Sequence, residues 1–459
     1  MNVHRLISCR SSKARWLESK HRNTHNNNVI ARVFYIKIIY LSLPPMNDIL
    51  VKASNSILND IQTRYALALF TVLAGCVYRS PKASTRITVA VLSLYLAYGM
   101  KQLLFIVLVL SLNITIMRVA TRHINEYVFI VLNIGILYFF KIFGYHIEPL
   151  IQTTYDISGF LMTLVIKVSY LVRDYRILRE SKRADQVATT DIIEYLVFLP
   201  GLLSGPTTTF QEFLAIDRTE ARSIPWKDTL KTLSFLFIYL KLGNYPFKAR
   251  ILSDNTPIMH RLILLYFYNF VLRTTFHFIW SFANCCYISH GCNGLLNIDF
   301  YKVEFTESIR EISSNWDIFV SRWLKEMFFL KLKNNGASPT VAALITYLAS
   351  ASLHGLNACY LIFFMSLGIF SKLITRINRI IPFKPLRQLQ MVGFVTFFSM
   401  PFYLLSLKDT YVLWKAVYFY GLVYCVGMSI IFILYDLVTK KHLAIPTPKS
   451  KIDVFIKNK

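Results

Sequence analysis

Apolar residues in this chain gather in blocks, several of them close to the ~20 residues that an α-helix needs to cross the hydrocarbon of a bilayer. The blocks lie near 64–79, 87–99, 102–118, 127–144, 149–172, 191–205, 229–243, 258–289, 341–372, 391–407 and 411–438. Only helices or closed barrels satisfy their own backbone at that depth, and runs this long read as helices. The expected fold is an all-α polytopic membrane bundle of about nine to twelve crossings, the longest blocks each being one tilted helix or two joined ones. Composition agrees. Of 459 residues, 54% are hydrophobic and 17% charged, whereas soluble chains carry ~25% charged residues. A disordered chain, a coiled coil and a soluble multidomain enzyme are excluded.

Lys and Arg number 51 against 25 Asp and Glu, a net charge of +26. In a soluble protein that excess would suggest nucleic acid. Here the basic residues sit between apolar blocks, where they anchor helix ends against anionic headgroups of the lipid bilayer. No nucleic-acid partner is expected. The reading divides the chain into a basic N-terminal tail and interfacial segment (1–60, with a short basic apolar stretch at 30–43), a transmembrane domain (61–438) and a basic C-terminal tail (439–459). Both tails are expected in the cytosol, and no cleavable leader is expected because the first 28 residues hold no apolar h-region. Among the seven cysteines, Cys285, Cys286 and Cys292 cluster around His290. No paired CxxC spacing accompanies them, so packing at a helix end is expected rather than a metal site.

Three stretches depart from ordinary spans. Residues 174–189, DYRILRESKRADQVAT, read as a charged surface loop. Residues 199–215, LPGLLSGPTTTFQEFLA, place Pro, Gly and three successive Thr at membrane depth, where broken backbone survives only inside protein or along a cavity. Residues 303–333 form an amphipathic region ending in an aromatic and basic helix suited to the membrane interface.

Within the apolar blocks His354 stands out, almost central in ITYLASASLHGLNACYLIFF. An ionisable group at that depth is a functional candidate by default, although one interhelical hydrogen bond would also satisfy a neutral imidazole. Asp317, in SSNWDIFVSRWL, is the second candidate. Ser313, Asp317 and Ser321 fall at i, i+4 spacing on one helical face. The alternative is a helix start with Ser314 as cap and Asp317 complementing the dipole. His277, in LRTTFHFIW, is a third intramembrane histidine, expected to be structural. No GxSxG elbow, Walker loop, GxGxxG or H-x4-D pattern occurs, which removes α/β-hydrolases, phosphate cradles, dinucleotide folds and the other large acyltransferase group.

Gly205-Pro206 followed by Phe210, then Trp316-Asp317 with Trp323-Leu324, then His354-Gly355 together resemble the membrane-bound O-acyltransferase superfamily over about residues 127–435. The resemblance implies a helical bundle around a catalytic tunnel and acyl transfer from acyl-CoA, a co-substrate, to a hydroxyl, with no resident cofactor or metal. Within the superfamily, VEFTESIREISSNWD (303–317), TFHF (275–278) and TYLASASLHG (346–355) look most like the Porcupine branch, which acylates a serine of Wnt proteins in the endoplasmic reticulum. That branch has Asn at the position of Asp317. LPGLLSGPTTTF and FYLLSLKDTYVLWKAVYFYG look at least as much like the lysophospholipid acyltransferases, which usually carry Trp where this chain has Leu353.

The resemblance implies His354 as general base, a role that suits imidazole near neutral pH. It implies Asp317 as the group that orients the imidazole or the acyl carbonyl. Gly205, Pro206, Trp316, Ser321, Trp323 and Leu353 are the expected substrate-binding residues, Leu353 setting the room beside the imidazole. Arg322 and Lys325 are candidates for CoA phosphates or simple solvated anchors. The expected partners are acyl-CoA and a Wnt protein, with a lysophospholipid as the alternative acceptor.

Overall fold

A computed structural model describes residues 61–120, 125–143, 156–203, 205–216, 225–292 and 294–442. The apolar stretch at 30–43, the rest of the N-terminal tail and residues 443–459 lie outside it. Every regular element among the described residues is helical.

The chain opens with α1 (Ile61–Tyr78) packed on α2 (Ala83–Ala120). The two blocks expected at 87–99 and 102–118 are the two helical halves of α2, separated at Gly99, whose φ of 77° with ψ of 172° is open essentially to glycine alone. Next, α3 (Glu126–Phe143) lies against α4 (Ser158–Glu180), a largely buried helix that carries Phe160, Leu164, Val168 and Leu171 into the core. The expected charged loop at 174–189 is in part helix. Asp174 is fully buried at the far end of α4, where Arg173 donates to it, and α5 (Thr189–Leu196) follows. After the irregular 199–209 segment come α6 (Phe210–Leu214), α7 (Trp226–Leu242) and α8 (Phe247–Leu252). The 32-residue α9 (Ile258–Ser289) packs along α7.

The amphipathic region breaks into α10 (Phe300–Glu304), α11 (Ile309–Asn315) and α12 (Ile318–Leu324), the last continuing through a π-turn at Lys325–Phe329. The 341–372 block is two helices, α13 (Pro339–His354) and α14 (Ala358–Ile380). The C-terminal part holds α15 (Lys384–Phe398), α16 (Met400–Leu404), α17 (Leu407–Ala416) and α18 (Tyr420–His442).

Five helices among the described residues, α2, α3, α9, α14 and α18, are long and apolar enough to cross a membrane. Several other blocks fold into helices of their own, among them α1, α4 and α7. Large apolar side chains stand exposed on α2, α3 and α18, among them Leu104, Val131 and Ile433. In a bilayer those faces meet lipid, which removes the penalty that water would impose.

Three buried clusters organise the bundle. One joins α1, α2, α4, α5 and the 199–203 turn, and a second joins α8, α9, α14, α15 and α17. The third is small. It brings Ile130 of α3, Val165 and Tyr170 of α4, Phe319 and Trp323 of α12 and Leu353 of α13 together, directly behind His354.

Candidate active site

Ser338 accepts from the Val341 amide and Pro339 occupies the first turn, so α13 starts with a built cap. It ends at His354 because Gly355 adopts φ +117°, where an L side chain is strained. His354 is therefore the terminal residue of a helix rather than the midpoint of a span. Three rings enclose the imidazole: Tyr360 at 5.2 Å, Phe364 stacked at 5.1 Å and Phe402 edge-on at 5.2 Å between centroids. Two donors of α3 satisfy the carbonyls that the helix end leaves open. Tyr138 donates its hydroxyl to the Ser352 carbonyl at 2.8 Å, and the Lys141 ammonium donates to the His354 carbonyl.

Leu353 does not border the imidazole. It is 2% exposed and packs into the third cluster against Trp323 and its neighbours. Adjacent helix positions point about 100° apart, so one residue faces the aromatic enclosure and the next faces protein core.

Asp317 sits in the break between α11 and α12 with φ +50°, a left-handed conformation that Asp and Asn tolerate better than most residues. It is the N-cap of α12, accepting from the Val320 amide at 3.4 Å, while Asn297 donates its side-chain amide to it at 3.0 Å. Asn297 in turn receives the amides of Ile318 and Phe319, pinning the start of the helix. Burial pushes the Asp317 carboxyl up to about 6, the bonds from Asn297 and Val320 only partly opposing it.

The break means that Ser313, Asp317 and Ser321 do not share one continuous face. Ser313 meets the Tyr347 hydroxyl of α13 at 3.0 Å, Ser321 lies one turn into α12 with its amide on the Asp317 carbonyl, and Ser314 bonds to the Arg310 carbonyl instead of capping. No hydrogen bond joins Asp317 to His354 among the described residues. The link is a row of packed rings: Trp316 to Phe276 at 5.3 Å, Phe276 to Phe402 at 6.4 Å, and Phe402 to His354.

In the 199–215 segment, residues 199–203 and 205–210 are buried in protein, whereas Gln211, Glu212, Leu214 and Ala215 are exposed. Its carbonyls take hydroxyl donors from distant helices, Tyr287 on Pro206 at 3.0 Å and Tyr195 on Thr208 at 2.9 Å. A Cβ at Gly201 would meet the Pro206 carbonyl oxygen at 2.0 Å, so the loop folds back on itself at a glycine. Gly205 and Pro206 thus form part of this packed wall, joined by a cis peptide bond. Trp323 is fully buried and donates its indole N–H to Ser169 of α4 at 2.7 Å. Arg322, a candidate for CoA phosphate, forms a bidentate pair with Glu212 of the same loop at 2.7 and 2.9 Å. Burial works against the Glu212 carboxylate, yet Arg322 and the Thr209 amide outweigh it and hold its pKa below the usual range. Lys325 is exposed at the start of the π-turn.

His277 sits in a buried ionic cluster. Arg273 donates twice to Glu304, at 2.8 and 2.6 Å, and His277 lies 3.1 Å from the same carboxylate while stacking on Phe235 at 4.8 Å. Sequence reasoning missed Arg273, Glu304 and Lys141. The signal was present for two of them: Arg273 and His277 are four residues apart in an apolar run, and Lys141 interrupts another. Cys285 lies against Thr229 and Thr232, and no group of three metal-ligating side chains forms among the described residues.

Comparison with known proteins places these features. The family described as MBOAT, membrane-bound O-acyltransferase family, matches residues 116–414. The lysophospholipid acyltransferase of Saccharomyces cerevisiae is 23% identical over 345 residues, 59% of this chain and 56% of the relative. Lysophospholipid acyltransferase 1 of Arabidopsis thaliana is 24% identical over 332 residues, 60% of this chain and 72% of the relative. The human membrane-bound glycerophospholipid O-acyltransferase 1 is 23% identical over 391 residues, 70% and 77% of the two chains. The match spans little more than half the length of the yeast relatives. The names these relatives carry are those of lipid enzymes and do not support the Wnt-directed branch that the motifs around His354 suggested. With the family match covering well over half of its length, this polytopic chain belongs to the membrane-bound O-acyltransferase family.

Proposed function

We propose that the protein is a lysophospholipid acyltransferase that moves a fatty acyl group from acyl-CoA to the free hydroxyl of a lysophospholipid, in the endoplasmic reticulum membrane. The observation that carries the reading is the set of relatives, from yeast, plant and human, whose names describe lysophospholipid or glycerophospholipid acylation. His354 is the proposed base. It takes the hydroxyl proton as the oxygen attacks the thioester carbonyl. The carbon–sulfur bond then breaks and the CoA sulfur leaves with a proton returned from the imidazole. The thioester is already activated, so no enzyme nucleophile is needed. The rings of Tyr360, Phe364 and Phe402 around the half-buried His354 are proposed to limit water at the thioester. Asp317, as the carboxylate nearest in sequence to Trp316 and the ring row, is proposed to favour the imidazolium through space.

Microsomes expressing the chain, given labelled acyl-CoA and either lysophosphatidylcholine or a Wnt hairpin peptide, test the reading. Label is expected in the phospholipid and absent from the peptide; label in the peptide alone would overturn it in favour of serine acylation. His354→Ala should cut the transfer about 10²–10⁴-fold at unchanged expression. Near-normal turnover would return His354 to a packing role.

A further inference from the structure

Lys141 lies inside the apolar helix α3, two residues before its end. Its ammonium donates to the His354 carbonyl, stands 3.3 Å from the position of a Cβ on Gly355, and is 5.9 Å from the Tyr360 ring that also packs on the imidazole. Arg86 and Arg273, interior cations of this bundle, each close on a carboxylate, Glu194 and Glu304. Lys141 has no carboxylate within ion-pair distance among the described residues. Asp156 acts on it through space but turns its oxygens to the Ser158 amide and hydroxyl. One neutral carbonyl uses one of three N–H bonds, and no carboxylate among the described residues takes the others.

A half-buried ammonium beside the candidate base, with no ion-paired carboxylate among the described residues, is matched to a ligand that brings the opposite charge. We infer that the Lys141 ammonium binds the phosphate of the acceptor lysophospholipid and so selects phosphate-bearing acceptors over uncharged ones. This rests on the function proposed above. In a lysophospholipid bearing its free hydroxyl on the central glycerol carbon, the phosphodiester hangs from the adjacent carbon. A hydroxyl presented to the His354 imidazole therefore carries its phosphate into the surroundings of the same residue, where Lys141 stands. The phosphates of CoA share this chemistry, and the two sources separate kinetically.

The test uses the full chain in nanodiscs, with wild type, Lys141→Met and Lys141→Arg. Acceptors are lysophosphatidylcholine and a monoacylglycerol of the same chain, with one acyl-CoA. In Lys141→Met the KM for lysophosphatidylcholine should rise about tenfold or more, the scale of a lost charged hydrogen bond. Any loss of rate from releasing the His354 carbonyl should fall on both acceptors alike, the KM for acyl-CoA should stay in place, and the rise in KM should be confined to lysophosphatidylcholine and partly recovered in Lys141→Arg. If the wild type refuses monoacylglycerol, the split between KM and kcat on lysophosphatidylcholine decides: a rise confined to KM supports the inference and a fall in kcat alone overturns it. Equal losses on both acceptors without that rise in KM would overturn it by showing that Lys141 only caps α13. A rise in the acyl-CoA KM alone would overturn it in favour of CoA. Wild-type protein that acylates no lysophospholipid would overturn the proposed function and this inference with it.

Discussion

Asp317 is held by its backbone as much as by its side chain. A residue at φ +50° that also caps α12 has two reasons to be Asp or Asn. Asp317→Ala should lose the cap and strain the turn, lowering stability by about 1–2 kcal/mol. Asp317→Asn keeps both features. With its carboxyl raised to about 6, Asp317 binds a proton more tightly folded than unfolded. That contribution favours folding below the ordinary Asp range and is lost as pH rises through 6. Relative to wild type, the Asn variant should therefore gain thermal stability between pH 4 and pH 7.5, read as the difference in Tm in detergent. A gap that stays constant with pH would show a well-solvated carboxylate. Leu353 teaches the opposite lesson about substitution. Buried at 2% exposure behind the site, Leu353→Trp overpacks the third cluster and should cost about 1–3 kcal/mol, seen as a lower Tm on any acceptor.

At the scale of elements, the end of α13 is the structure that presents His354. Gly355 sets where the helix stops, and α3 clasps the last carbonyls through Tyr138 and Lys141. Gly355→Ala would hold an L side chain at φ +117° and set its Cβ 3.2 Å from the Lys141 side chain. A loss of about 1–3 kcal/mol is expected, with a fall in acyl transfer as the imidazole shifts, measured as Tm and initial rate. A variant of wild-type Tm would show that the break at 355 relaxes freely. The 199–215 loop illustrates the same economy of means. Between its 199–201 turn and α6, tyrosine hydroxyls from α5 and α9 bond the carbonyls of Pro206 and Thr208.

For the whole molecule, the interior among the described residues is a set of apolar clusters crossed by a few buried ionic links. Arg273 and Glu304 tie α9 to α10, both almost completely buried. Arg273→Met strands the Glu304 carboxylate beside His277 and should destabilise by about 3–5 kcal/mol. Adding Glu304→Met should recover much of that loss, because two apolar side chains leave no orphaned charge. The measurement is a double-mutant cycle on Tm in detergent. Additive losses would mean that the pair does not act as a unit.

The apolar blocks by themselves determined the all-helical membrane class, since of the two structures that satisfy a backbone in hydrocarbon only the helix needs runs of ~20 apolar residues. The sequence also held the residues of the candidate site, His354 and Asp317, because ionisable groups in apolar runs are conspicuous. It did not show that His354 ends a helix or that Leu353 turns away from it. Nor did it show that Asp317 spends its carboxylate on a cap, or that Lys141 arrives from 213 residues away. Those facts depend on which helices meet. Helical periodicity reports one element's faces and carries no record of the partner across the interface, so only the packed bundle could decide them.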